Sequence, residues 1–163
     1  MQRRLLIILS IWLVNHSYSQ SIPQWKIEEV VRSYNHPSDT IYVINFWSTW
    51  CQPCLEEIPY MEKISKKYAS KKVKLLLVSL DSKKTFPKLP DIIKKRKITA
   101  HVVWLEDKDA DRFCPAIDSS WSGAIPATLI IQPNKGIRKF YEDKFSEKSF
   151  EEALKYFILP QRQ

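Results

Sequence analysis

The chain has 163 residues, one domain's worth by the usual size prior, which excludes a second large domain. It is 44% hydrophobic and 12% aromatic, enough for a packed core and too much for a disordered chain, and 26 Lys+Arg against 18 Asp+Glu give it a net charge of +8. Only two glycines, Gly123 and Gly136, exclude collagen-like and glycine-linker classes, and three cysteines are too few for a disulfide-stapled miniprotein.

The first element is a targeting segment. Arg3 and Arg4 form a basic start, residues 5–14 form an apolar core interrupted only by Ser10, and Ser17 and Ser19 supply small residues before Gln20. This is the signal-peptide pattern, with a core too short to span a bilayer comfortably. The expected organisation is a signal peptide over residues 1–19 and one domain over 20–163, working outside the cytosol. An uncleaved N-terminal anchor is the alternative. No cysteine lies near the cleavage point, so a lipid-linked N-terminus is not expected.

Helix and strand patterns then alternate. Trp25, Ile27, Val30, Val31 and Tyr34 fall at helical spacing, and His36-Pro37-Ser38-Asp39 ends that helix. Residues 41–47 are an apolar, β-branched and aromatic run of strand length. A long helix is predicted over residues 53–69, with Ile58, Met61, Ile64 and Tyr68 on one face and Pro59 expected to kink it. Residues 73–80 read as a second apolar strand, and both strands read as buried on two faces, as parallel pairing under helices demands. A helix over 91–97, a strand over 101–105 and a short helix over 109–117 follow. Strands over 127–132 and 137–142 are joined by Pro133-Asn134-Lys135-Gly136 as a hairpin, and Ser146 is the expected N-cap of a last helix that turns Phe150, Leu154 and Phe157 inward. The order predicts an α/β domain, a central mixed β-sheet flanked by helices, with an extra helix at its N-terminal side.

The basic balance does not make a nucleic-acid protein. Lysines come as scattered pairs, and the one run, Lys94-Lys95-Arg96-Lys97, closes a predicted helix where cations suit the C-terminal dipole. There is no glycine–aromatic array and no paired Cys/His set, so no nucleic-acid partner is expected.

The chemistry concentrates at Trp50-Cys51-Gln52-Pro53-Cys54, directly after the first strong strand and at the start of the long helix. Two cysteines three apart in a first helical turn can close a small disulfide and reopen it. Cys51, with an exposed sulfur beside the unpaired amides of the helix N-terminus, is the expected nucleophile because that end favours thiolate. Cys54, further in, is the expected resolving thiol. Pro53 sets the backbone of the first turn without costing a hydrogen bond. Zinc would need a second close-spaced ligand pair, and Cys114, His36 and His101 do not supply one. A static disulfide over so short a loop would add little stability, and inert thiols fit poorly with an exported chain. The context strand–CxxC–helix favours redox catalysis, with no metal and no cofactor.

The run Asn45-Phe46-Trp47-Ser48-Thr49-Trp50-Cys51-Gln52-Pro53-Cys54, continued by Glu57 and Pro59, resembles the signature of TlpA/ResA-type thioredoxin-like oxidoreductases. Trp121-Ser122-Gly123-Ala124-Ile125-Pro126-Ala127-Thr128 is similar to that family's cis-proline segment. The resemblance implies a thioredoxin fold, a dithiol/disulfide site, and export to the periplasm or cell envelope. It places Pro126 as a cis-proline facing the cysteines, with Trp50, Ile125 and Pro126 contacting substrate, and Gln52 and Pro53 tuning the redox potential. The implied partners are exported protein thiols or disulfides and an upstream redox partner, with the chain acting as a monomer.

Glu57 matches an acidic position near the family's cysteine pair; it is either a partly buried proton relay for Cys54 or a solvated helix-start glutamate like Glu56. Asn45 stands where thioredoxin carries a buried aspartate, so Glu57 is the candidate replacement. Cys114 reads as a buried small hydrophobe or a third redox thiol. Competing functions on the same fold are a thiol peroxidase and a non-enzymatic peptide-binding module. The peroxidase needs Thr-x-x-Cys, whereas Thr49 lies two before Cys51, and the intact cysteine pair argues against the binding module.

Overall fold

The apolar run at 41–47 becomes strand β2 (Ile41–Trp47), buried at every position because helices cover both its faces. Its period of two sorts the core. Tyr42, Ile44 and Phe46 join one apolar cluster, whereas Ile41, Val43 and Trp47 belong to the clusters on the opposite face. Asn45 shares that second face, where it is fully buried. The computed structural model describes residues 21–159, so the expected signal peptide over 1–19 lies outside the described residues.

In chain order the elements are β1 (Gln24–Trp25), α1 (Ile27–Tyr34), β2, α2 (Gln52–Lys67), β3 (Val73–Ser79), α3 (Leu89–Arg96), β4 (His101–Leu105), α4 (Ala110–Ile117), β5 (Ala127–Gln132), β6 (Ile137–Tyr141) and α5 (Glu147–Ile158). They form one mixed sheet in the order β1-β4-β3-β2-β5-β6. The first four strands in that order run parallel, and β5 and β6 add antiparallel. Helices α1 and α4 cover one face through Ile27, Val30, Phe113 and Ile117. Helices α2 and α5 cover the other through Met61, Ile64, Phe150, Leu154 and Phe157. The α/β architecture is the expected one.

Differences from the sequence reading are local. Trp25 lies in strand β1 rather than in the first helix: it pairs with Leu105, and its carbonyl accepts from Glu106 N at 2.8 Å. The open edge of β4 satisfies that backbone, which helical spacing alone cannot reveal. Helix α3 starts two residues early because Pro90 is tolerated in a first turn, and β6 stops at Tyr141, leaving Glu142 outside the strand. Strand β3 is not buried on both faces throughout, since Lys74 is exposed. Helix α2 runs unbroken past Pro59, which sits on its exposed side.

The cap of α5 lies where the sequence places it. Ser146 Oγ accepts from Ser149 N at 3.1 Å, and Ser149 Oγ accepts in return from Ser146 N at 2.9 Å. Ser146→Ala removes one side of this exchange and is expected to lower stability by about 1 kcal/mol in urea unfolding; an unchanged midpoint would show that the cap contributes nothing.

Candidate active site

The site forms where β2 ends and α2 begins, beside the C-terminal ends of the parallel strands. Cys51 N donates to Ser48 O at 3.0 Å, closing the turn between the two elements. Thr49 is tied across to the end of β3: its N–H and its hydroxyl donate to the two carboxylate oxygens of Asp81 at 3.0 and 2.6 Å. Asp81 is fully buried and also accepts from Ser79 Oγ at 2.8 Å, so its carboxyl oxygens meet three donors. Its carbonyl accepts from Trp104 Nε1 at 2.5 Å and Lys108 Nζ at 2.9 Å.

Cys51 is the N-cap of α2, and its sulfur accepts from Cys54 N at 3.3 Å. Cys51 and Cys54 are joined as a disulfide with S–S 2.10 Å and Cα–Cα 5.3 Å. Cys54 is fully buried. Cys51 is only 4% exposed, so the expectation of an open sulfur is corrected. The reason is tertiary: the loop before β5 comes over the pair and puts the Ile125 carbonyl oxygen 3.9 Å from Cys51 Sγ. Trp50, in contrast, is 65% exposed beside it. Gln52 and Pro53 are exposed on the first turn, with Gln52 Nε2 donating to Glu56 at 2.9 Å.

The β2–β5 register explains the approach of that loop. Phe46 pairs with Ala127 and Asn45 with Thr128, so Pro126 falls next to the end of β2. Pro126 is buried and the Ile125–Pro126 peptide bond is cis. A shallow pocket of about 310 Å³ opens alongside, between Pro53, Ile125 and Pro126 on one side and Asp143 and Lys144 on the other.

Glu57 is fully buried, three residues past Cys54 on the same helix. Its two oxygens accept from Asn45 Nδ2 at 2.7 Å and from Phe145 N at 3.0 Å. Burial nevertheless dominates those hydrogen bonds and pushes the carboxyl from its ordinary 4.5 up to about 7. Asn45 Nδ2 also donates to Thr128 Oγ1 at 3.0 Å, whereas Asn45 Oδ1 is buried without a partner. Glu56 differs from its neighbour: it lies exposed, paired with Lys144, and its carboxyl is held below the usual range by that ammonium. The two adjacent glutamates are thus in opposite environments. Among the described residues no group of three or more His, Cys, Asp or Glu could hold a metal ion, and no helix is long and apolar enough to cross a membrane.

With this geometry the comparisons with known proteins agree. The family model described as the AhpC/TSA family matches residues 20–140. The chain belongs to the AhpC/TSA family. Several curated relatives that it resembles are named thiol-disulfide oxidoreductase ResA. It is 32% identical over 100 residues to the thiol-disulfide oxidoreductase ResA of Oceanobacillus iheyensis, covering 61% of this chain and 48% of that protein. It is 25% identical over 111 residues to ResA of Geobacillus thermodenitrificans, covering 68% of this chain and 59% of that one. The match thus spans about half to three-fifths of these relatives' length. Among solved structures, a thioredoxin-family thiol:disulfide interchange protein from Chlorobium tepidum superposes with TM-score 0.61 at 21% identity, over 78% of this chain and 84% of that one. StoA from Bacillus subtilis gives TM-score 0.55 at 24% identity, over 72% and 84%. The fold is that of thioredoxin.

Within this AhpC/TSA-family domain, the structure brings Cys51, Cys54, Trp50, Ile125 and Pro126 to one place, with Glu57 in the layer beneath. Cys114 is elsewhere, buried on α4 in the cluster with Phe113 and Trp121, and burial pushes its thiol up. Asp81 went unnoticed in the sequence. A lone acid closing an apolar parallel strand was the available signal, since such strands present functional groups at their C-terminal ends. Thr128 and Phe145 carried no signal, because their roles rest on contacts across the fold.

Proposed function

We propose that the chain is an exported thiol–disulfide oxidoreductase acting on protein cysteines. The observation that carries this reading is the Cys51–Cys54 disulfide at the N-terminus of α2, faced by the Ile125 carbonyl. In the reducing direction, the Cys51 thiolate attacks one sulfur of a substrate disulfide, forming a mixed disulfide and releasing the other substrate sulfur as a thiolate that takes up a proton. Cys54, deprotonated, then attacks Cys51 Sγ, closes the Cys51–Cys54 bond and expels the second substrate thiolate. The substrate gains two electrons and two protons, and the enzyme dithiol loses them; an upstream dithiol restores it. Glu57, buried on the Cys54 side of α2 and raised to about 7, is suited to take the Cys54 proton at neutral pH and to return it in the reverse reaction.

The basic start and short apolar core of residues 1–19 support export, and protein thiols and disulfides outside the cytosol are the substrate class the compartment supplies. The domain works as a monomer in this reading. Thr49 has its hydroxyl engaged by Asp81, which removes the support a peroxidase reading would draw from it.

The test is insulin-disulfide reduction with dithiothreitol as the terminal reductant. Acceleration over dithiothreitol alone is expected, and its absence would end the oxidoreductase reading. Equilibration in thiol–disulfide buffers then sets the direction: a potential near about −270 mV makes the chain a reductase, and one near about −120 mV an oxidant.

A further inference from the structure

The loop that carries Ile125 is tied by two side chains, Trp121, whose Nε1 donates to Ala124 O at 2.9 Å, and Glu142, which gathers its N–H groups. Glu142, just past β6, accepts from Ser122 N at 3.0 and 3.1 Å through its two oxygens, from Ala124 N at 3.0 Å, and from the Ser122 hydroxyl. These donors flank Gly123, whose φ of 95° belongs to the region that favours glycine. Ser122 and Ala124 are themselves exposed, so their backbone donors have no need of a protein partner for burial's sake. The carboxylate gathers them into one geometry instead.

The same short segment also grips α2. Lys144 Nζ donates to Glu56, Phe145 N donates to Glu57 at 3.0 Å, and the Tyr60 hydroxyl donates to the Phe145 carbonyl. Residues 142–145 therefore tie together the two walls between which Cys51 sits. One wall is α2 with its cysteines. The other is the 122–125 loop, whose Ile125 carbonyl lies 3.9 Å from Cys51 Sγ.

We infer that Glu142 is a positioning residue for disulfide exchange: it holds residues 122–125 over Cys51 so that the Ile125 backbone can receive an extended peptide beside the reacting sulfur. This rests on the oxidoreductase reading above. A glutamate suits the position. Its Oε1 accepts from Ser122 N, Ala124 N and the Ser122 hydroxyl, and its Oε2 shares Ser122 N; glutamine can keep the first oxygen's contacts but sets an amide donor against Ser122 N, and aspartate falls short by a methylene. Loosening the loop weakens substrate docking while the cysteines and the first turn of α2 stay as they are. The signature is therefore a rise in KM at constant kcat.

The experiment is steady-state reduction of a disulfide-linked cysteine-containing peptide with dithiothreitol as the terminal reductant, with pre-reduced wild type, freed of dithiothreitol, also assayed in single turnover on the small disulfide dithiobis(nitrobenzoate). Glu142→Ala is expected to raise the peptide KM about tenfold with kcat within about twofold, and Glu142→Asp to match it. Glu142→Gln, the variant closest in volume, is expected to lie between these and wild type. An unchanged peptide KM in all three variants, or a fall in kcat at constant KM, would overturn the positioning role. Failure of wild type to reduce either disulfide would instead remove the oxidoreductase reading itself.

Discussion

Cys51→Ser is expected to lower insulin-disulfide reduction by on the order of a thousandfold or more, the scale seen when a nucleophile is removed. Cys54→Ser, by contrast, is expected to accumulate mixed disulfides with its substrates. The asymmetry follows from where α2 starts. Cys51 is the N-cap, its sulfur accepts from Cys54 N, and the unpaired amides of the first turn stabilise negative charge there. Cys54 lies inside that turn and is fully buried, among Leu55, Ile58 and Leu77. Of the two cysteines only Cys51 keeps any exposure, 4%, so an incoming substrate disulfide meets the first sulfur. Without Cys54 nothing resolves the adduct, so it persists and its partners can be identified by mass spectrometry. Alkylation of the reduced protein at neutral pH gives the matching kinetic measurement, with Cys51 modified first. Faster modification of Cys54, or trapping of partners by Cys51→Ser, would reverse the assignment.

The second large effect is a dependence of stability on pH that comes from Glu57. Burial raises its carboxyl from 4.5 to about 7, against the hydrogen bonds from Phe145 N and Asn45 Nδ2 that favour the charged form. A carboxyl that binds its proton more tightly in the folded state stabilises fully below its unfolded value and loses that contribution as pH rises through its folded value. The window is therefore pH 4.5 to about 7, and the loss across it is up to about 3 kcal/mol. Glu57→Gln removes the titration. In urea unfolding of the oxidised proteins, where Cys51 and Cys54 do not titrate, the variant's stability relative to wild type should rise by up to about 3 kcal/mol between pH 4.5 and 8. A difference that stays flat across that range would show that Glu57 does not hold its proton in the folded chain. The same substitution should remove the inflection near pH 7 from the exchange-rate profile, because the buried proton acceptor is gone.

Much of this site was legible in the chain itself. Strands β2, β4 and β5 begin and end where the sequence places them, because each is a short apolar run bounded by polar or turn-forming residues. Helix α5 starts directly after Ser146 because its cap is local, and Cys51 and Cys54 meet across the first turn of α2 because their spacing and Pro53 favour it. The tertiary structure decided the rest. Sequence left Glu57 between a buried relay and a solvated glutamate; it is buried because the alternation of β2 turns Asn45 toward α2 and the segment after β6 lays Phe145 N against it. Cys51 is nearly covered because the β2–β5 register brings Ile125 over it from 74 positions away. Strand β1 exists because β4 has an edge to pair, and Glu142 matters because two backbone donors of a distant loop meet it. Caps, turns and periodicity are set by residues within a few positions of one another, so a sequence window contains them. Desolvation and long-range pairing depend on which surfaces meet once the chain has closed, and no local window holds that information.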